Sequence, residues 1–402
     1  MKAIFASQGM VSVLASAALA SFVFASTAKA QQPIRIGVPT SLSGPFSAAG
    51  IDAKRVAEFA AAEANAKGGV LGRKLQVKAL DTEGKPELAR QQAEKLTLEG
   101  YKILFGTTLS GVGLAMMPML QRWDALYIST INKADAQTGE SCVPRFFRVN
   151  RPDYADAAVV KPWLANRKEK KWAIMAGDIV WGRTSGANFK AAAKSLGRDI
   201  VSEHYSPSGA NDYAPYIQQI KDSGAEGMWV VLTGSAGIAF AQQAKQFGLL
   251  DKVVTAGANL ATDGNVDALG NVTRGIWGII NYSSTLDTPE NKAFVAAWKK
   301  ANKGEEPTNY MGEAYVGMQV LLQAIAKAKS DKPVDLVKAM EGGVFDTILG
   351  KLKMRAEDHQ LVAPNHFGYI GEQGGKLRPI ITMKMPADEA TPAQGKCKMA
   401  KL

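Results

Sequence analysis

The chain has 402 residues, 46% of them hydrophobic, with a formal net charge of +11, three histidines and two cysteines. Such a length suits two domains of roughly 150–200 residues behind an N-terminal segment. The positive charge is scattered, densest at 167–171 and 396–398, and basic residues do not interleave with aromatic ones, which excludes a groove for single-stranded nucleic acid.

Residues 1–30 read as a cleavable export signal. Lys2 supplies the positive start, 10–24 the apolar stretch, and Ala28-Lys29-Ala30 the small-x-small site, so cleavage after Ala30 leaves the mature chain in the periplasm. The apolar stretch falls short of the ~20 residues a spanning helix needs, and no cysteine follows the site to take a lipid. Strand and helix patterns then alternate: strand 34–39, helix 48–65, strand 75–80, helix 86–98, strand 101–105, helix 112–122, strand 126–129. The pattern restarts after Arg148-Val149-Asn150 with strand 172–176, helix 182–195, strand 200–205, helix 213–223, strand 227–232, helix 237–247 and strand 253–256. From Thr288 the chain turns helical at 290–301, 310–329 and 334–340, and 346–385 reads as short strands and turns. The alternation implies an α/β fold of two doubly wound lobes, each a mostly parallel sheet covered by helices on both faces. Ligands in such sheets bind outside the carboxyl ends of the strands, and two facing lobes make a cleft that closes on a hinge.

Catalytic patterns are missing. His204, His359 and His366 form no metal-binding spacing, and there is neither a G-x-S-x-G elbow nor a phosphate loop, so no metal, cofactor or enzyme activity is expected. Gly111-Val112-Gly113 is half of a dinucleotide fingerprint. Cys142 and Cys397 are the minimum for one disulfide in an oxidising compartment, and such a bridge would pin a tail, 386–396, that otherwise reads as disordered.

Polar loops at strand ends are the informative feature. Residues 106–111 follow a strand and open a helix, where the Ser110 hydroxyl and free backbone N–H groups can hold a carboxylate. The alternative role for Ser110 is to cap its own helix. Residues 129–133 face the same edge, and 178–182 do the equivalent in the second lobe, with Trp181 as a pocket wall.

Ser43-Gly44-Pro45 with Asn65-Ala66-Lys67-Gly68-Gly69-Val70, the Gly106…Ser110 loop followed by Leu126-Tyr127-Ile128-Ser129, and Trp181-Gly182 together resemble the periplasmic leucine/isoleucine/valine-binding proteins of ABC importers. The resemblance implies the type 1 periplasmic-binding-protein fold with a three-segment hinge crossing near Asn150, Asn281 and Lys353. Lobe 1 is then 31–150 plus 281–352, lobe 2 is 151–280 plus 353–385, and 386–402 is a tail. It implies that Ser110, with Thr108 and Leu109, holds a ligand carboxylate, that Ile131, Asn132 and Lys133 orient an ammonium, and that Trp181 covers the ligand, with Phe46 able to stack on a ring. Thr233 stands where the family has a tyrosine, and Asn259 where it has an acid near the ammonium. The ammonium half of the site is therefore altered, because a buried cation needs a partner and Lys133 adds a positive charge, unless Asp263, Asp153 or Glu313 takes over.

The function this implies is a monomeric solute-binding receptor that captures a branched-chain or aliphatic amino acid, or its amide, and delivers it to a membrane permease. The alternative ligand is a small aromatic or keto carboxylate without an amine. Readings of a different class are an extracellular α/β hydrolase, which needs a nucleophile–base pair, and a ligand-sensing domain, which needs an output segment after Leu402.

Overall fold

The computed structural model describes residues 32–400; the export signal and its cleavage site lie outside the described residues. The first lobe begins β1 (Ile34–Thr40), α1 (Ser47–Ala66), β2 (Leu75–Asp81), α2 (Pro86–Leu98), β3 (Ile103–Gly106), α3 (Ser110–Met116), β4 (Leu126–Ser129) and β5 (Phe146–Arg148). Its strands form a parallel sheet in the order β2-β1-β3-β4-β5. Successive side chains of a strand point to opposite faces. Ile103, Phe105, Leu126 and Ile128 accordingly pack with α1, while Leu104, Tyr127 and Phe146 pack with α2 and α3 on the other face. The helix expected over 112–122 ends early because Pro118 shifts the chain into a 3₁₀ turn at Met117–Met119.

The second lobe runs α4 (Asp153–Ala165), β6 (Lys171–Gly177), α5 (Val180–Ser195), β7 (Asp199–Ser206), α6 (Ala214–Asp222), β8 (Gly227–Val231), α7 (Gly234–Gln246), β9 (Val254–Gly257), α8 (Asp263–Leu269) and β10 (Trp277–Ile279). The chain returns to the first lobe for α9 (Pro289–Ala301), α10 (Asn309–Ala328), α11 (Pro333–Met340) and a small antiparallel sheet of β11 (Val344–Thr347), β12 (Gly350–Met354) and β13 (Leu361–Val362). It ends with β14 (Asn365–Gln373), β15 (Lys376–Met385) and α12 (Ala387–Ala390). The second sheet has the order β15-β14-β10-β9-β8-β6-β7, parallel except for β14 and β15. Segment 346–385, expected as short pieces, thus contains a long hairpin, and Pro379 is tolerated there because β15 is an edge strand.

Three segments join the sheets. The chain leaves the first sheet after Arg148 and enters α4 at Asp153; it returns between Ile279 of β10 and Tyr282, which packs in the first core. The last crossing lies at Pro364 and not near Lys353. Leu352 and Met354 of β12 and Leu361 of β13 face the first core together with Ala363, and the β12–β13 pairing holds this stretch there until β14 begins at Asn365. The segment 386–400 is also placed against the body. Arg355 Nη1 donates to the Thr391 carbonyl (2.8 Å), Thr391 Oγ1 to the Ala363 carbonyl (3.0 Å), and Cys397 is bonded to Cys142 with Cα atoms 5.6 Å apart.

Candidate ligand-binding cleft

The carboxyl ends of β3 and β4 face those of β6, β8 and β9 across the hinge, and the loops leaving them meet around a cavity of about 50 Å³. The cleft is shut. A Cβ on Gly234, at φ +60°, would stand 2.0 Å from the Pro45 carbonyl of the other lobe, so only glycine permits this approach. Thr233 Oγ1 and Tyr310 OH share a hydrogen bond (3.0 Å) from lobe to lobe, and Asn188 Nδ2 donates to Asp135 Oδ2 (2.7 Å).

Every residue expected at the ligand except Asp153 borders this one cavity: Phe46, Thr108, Leu109, Ser110, Ile131, Asn132, Lys133, Trp181, Thr233 and Asn259. Ser110 is the first residue of α3, and the cap position belongs to Leu109, so the hydroxyl is not a helix cap. Its oxygen instead accepts the N–H groups of Lys133 and Ala134, both at 3.1 Å. A hydroxyl oxygen accepts two hydrogen bonds and donates one. With both acceptor positions used, the remaining O–H is a donor for whatever enters the cavity.

The loop that meets Ser110 is fastened from behind. Asn132 Nδ2 donates to Thr107 Oγ1 (2.8 Å) and Tyr127 OH (2.9 Å); Thr107, which is also hydrogen-bonded to Tyr127 OH, has a left-handed backbone at φ 67°. A Cβ on Gly113 would lie 2.4 Å from Asn132 Nδ2 and 2.5 Å from Gln137 Nε2. That close approach, and no dinucleotide, is the structural use of Gly113 in the Gly111-Val112-Gly113 sequence. Burial pushes the Tyr127 phenol up to about 12, so it stays a neutral partner. Asn132 Oδ1 is buried with no donor.

Lys133 differs from expectation. Its backbone borders the Ser110 loop, but its ammonium lies 2.5 Å from Asp156 Oδ2, and both side chains are buried. Asn281 Oδ1 also accepts from it (3.4 Å), and Asn365 Nδ2 donates to the other Asp156 oxygen (3.0 Å). The charge of Lys133 is therefore spent within the hinge and is not a free cation for a ligand. None of the three substitute acids lines the cavity either. Asp153 is buried at the first crossing with both oxygens unbonded, and burial, reinforced by Asp135 and Asp156, holds its carboxyl well above the usual range. Burial likewise raises Glu313 to about 7 against the pull of Arg151, and Asp263 to about 6 with Asp267 adding to the rise.

The histidines serve packing. His359 stacks on Phe147 with its ring nitrogens on the Phe146 carbonyl and Glu341, burial pushes His366 down to about 4, and His204 bonds Ser202.

The profile of the periplasmic binding proteins matches residues 33–376. The chain belongs to that family. Its members are solute-binding receptors of ABC transporters, and this chain shares their α/β fold of parallel sheets. A Leu/Ile/Val-binding protein homolog of Brucella abortus is 27% identical over 343 residues, covering 82% of this chain and 88% of the relative. The solute-binding protein of an ABC transporter from Rhodopseudomonas palustris BisB5, solved with 3,4-dihydroxybenzoic acid, superposes with a TM-score of 0.82 at 22% identity, covering 89% of this chain and 98% of that one. The leucine-, isoleucine-, valine-, threonine- and alanine-binding protein of Brucella ovis, in its closed conformation, gives 0.80 at 21% identity over 92% of this chain and all of its own.

Pro45, Ala48, Ala49, Gly234 and Tyr310 border the cleft of this periplasmic binding protein without having been expected there. Tyr310 is the most consequential. The resemblance puts a tyrosine at the Thr233 position; here the ring comes from α10 of the opposite lobe, and Thr233 bonds its hydroxyl. The legible signal was an aromatic residue in the first turn of the long helix after the second crossing, but nothing local in the sequence aims that turn at the cleft.

Proposed function

We propose that this receptor captures a small aromatic carboxylate outside the cytoplasm by closing its two lobes, and delivers it unchanged, as a monomer, to a membrane permease. The observation that carries the reading is the charge inventory of the cavity. No carboxylate lines it among the described residues, and the one lysine is neutralised by Asp156. The ammonium of a zwitterion sealed there would lose its hydration without a charged partner, which costs several kcal/mol. A carboxylate alone meets the Ser110 donor. Phe46, Trp181 and Tyr310 supply flat apolar faces suited to a ring. The Rhodopseudomonas protein, solved with a dihydroxybenzoic acid, supports the same class.

A second reading, an aliphatic amino acid, is favoured by the unpaired Asn132 Oδ1, a neutral acceptor that an ammonium could use, and by the Leu/Ile/Val-binding relatives. Calorimetry and thermal shift with benzoate, leucine and 4-methyl-2-oxopentanoate separate the two. A ligand at a hundred times its Kd stabilises the folded state by about 2.7 kcal/mol. Benzoate is expected to bind, to raise the melting temperature and to be recovered intact by chromatography. Leucine binding with benzoate inert would overturn the aromatic reading, and consumption of the ligand by pure protein would overturn the receptor reading.

A further inference from the structure

Beside the cleft lies a smaller cavity of about 20 Å³. Phe46, Trp181 and Thr233 border both cavities and form the wall between them. The other walls come from the carboxyl ends of three second-lobe strands. They are Gly177 of β6 with Ile179 after it, the turn that follows β7, and Leu232 after β8, with Ala236 in the first turn of α7. Ser110 does not border this cavity, and among the described residues Phe46 is its one contribution from the first lobe, so closure completes it. The β7 turn is met from the first lobe as well: a Cβ on Gly209, at φ +78°, would stand 3.7 Å from Pro45 Cγ.

The polar groups along these walls are largely paired already. Ser206 Oγ donates to Tyr213 OH (3.5 Å), the Ser206 carbonyl accepts from the Asp178 N–H (2.7 Å), the Gly177 carbonyl accepts from the Ile179 N–H (2.8 Å), and Thr233 bonds Tyr310. A cavity walled by apolar side chains stays dry and takes up apolar groups. We infer that the ligand carries a short alkyl branch, and that this second compartment receives it when the lobes close. The inference rests on the aromatic-carboxylate reading and extends it. The body of the ligand stays in the main cavity with Ser110, and the branch enters past Phe46, Trp181 and Thr233. A water-sized group needs roughly 10–15 Å³, so the compartment suits one or two carbons and not a second ring. A polar branch would give up hydration that these paired groups do not replace.

The test is calorimetry of benzoate, 3- and 4-ethylbenzoate and 3- and 4-(hydroxymethyl)benzoate with the wild-type protein and Gly177→Ala. Ethyl and hydroxymethyl are close in size, so they separate apolar burial from hydrogen bonding. A Cβ on Gly177 would meet Ile179 Cγ1 at 3.8 Å and Leu232 Cδ2 at 3.9 Å, which are ordinary contacts, so the added methyl occupies the compartment without strain. At one of the two ring positions the ethyl compound is expected to bind at least about tenfold tighter than benzoate, each buried methylene adding about fourfold. In Gly177→Ala that advantage is expected to fall by at least about fourfold, while benzoate stays within about twofold of its wild-type affinity. Ethylbenzoates that bind no tighter than benzoate would overturn the inference and leave the aromatic reading intact. Hydroxymethyl compounds that match the ethyl ones would assign the compartment to a polar branch on the Trp181 indole N–H, which has no acceptor, and would also overturn it. An ethyl advantage that persists in folded Gly177→Ala would place the branch elsewhere. If Gly177→Ala fails to fold by circular dichroism, Ala236→Leu carries the same comparison. Leucine binding with every benzoate inert would overturn the underlying reading and this inference together.

Discussion

Ser110 fastens a loop and borders the cleft. Its oxygen accepts from the N–H groups of Lys133 and Ala134, which leaves its O–H as a donor. Ser110→Ala should therefore weaken ligand binding by roughly 1.5–3 kcal/mol, the value of a hydrogen bond to a charged group. It should also lower stability, because two buried N–H groups lose their acceptor. Calorimetry and urea denaturation read the two effects separately. Unchanged affinity with lowered stability would leave Ser110 as a fastener only. The sequence marks Ser110 because a hydroxyl between a strand end and a helix start has few local uses. It does not show which of those uses applies, since Lys133 and Ala134 are brought to the oxygen by the β4 loop.

Among the elements that sequence reading overlooked, α4 (Asp153–Ala165) bears most on the site. Pro162 lies inside it and its apolar residues make no clean stripe, yet Val159, Val160, Trp163 and Leu164 are buried against the second sheet, and packing overrides the local penalty. The helix matters to the site because it carries Asp156. The Lys133–Asp156 pair joins the loop after β4 in one lobe to the first helix of the other, and both side chains are buried. Lys133→Met alone should cost about 3–5 kcal/mol, since it leaves a buried carboxylate with Asn365 as its remaining partner. Lys133→Met with Asp156→Leu should regain most of that loss, because an apolar pair of similar volume needs no counter-charge. Equilibrium denaturation of both variants checks it. A Lys133→Met protein as stable as wild type would mean that the pair does not form in solution.

At the scale of the whole molecule, the hinge and the tail decide how the lobes can move. The chain passes between the sheets after Arg148, after Ile279 and at Pro364, the last delayed by the packing of β12 and β13 in the first core. Near that third crossing the tail is fastened through Thr391 and, farther on, through the Cys142–Cys397 bond, which closes a loop of 255 residues. Unpinning so long a loop should destabilise the protein by about 2–5 kcal/mol. Cys397→Ser and reduced wild type should therefore unfold at similar, lower denaturant concentrations than oxidised wild type. Two cysteines that alkylate freely in unreduced protein exported to the periplasm would contradict the bridge.

What the sequence determined by itself is the part governed by local periodicity and turn chemistry. Alternating strand and helix patterns specify doubly wound lobes, and polar loops at strand ends point to 106–111, 129–133 and 178–182, from which Ser110, Lys133 and Trp181 border the cavity, whereas Thr233 and Asn259 follow only from the family resemblance. Only the tertiary structure decided which charges are free. Lys133 reads in the sequence as an anion site, but Asp156, 23 residues on and across a hinge, neutralises it, and Tyr310 enters from a helix 77 residues beyond the Thr233 that it meets. The physical reason is that apolar burial repeats along a chain, whereas ion pairs and hydrogen bonds depend on separations of a few ångströms between segments that no local pattern brings together.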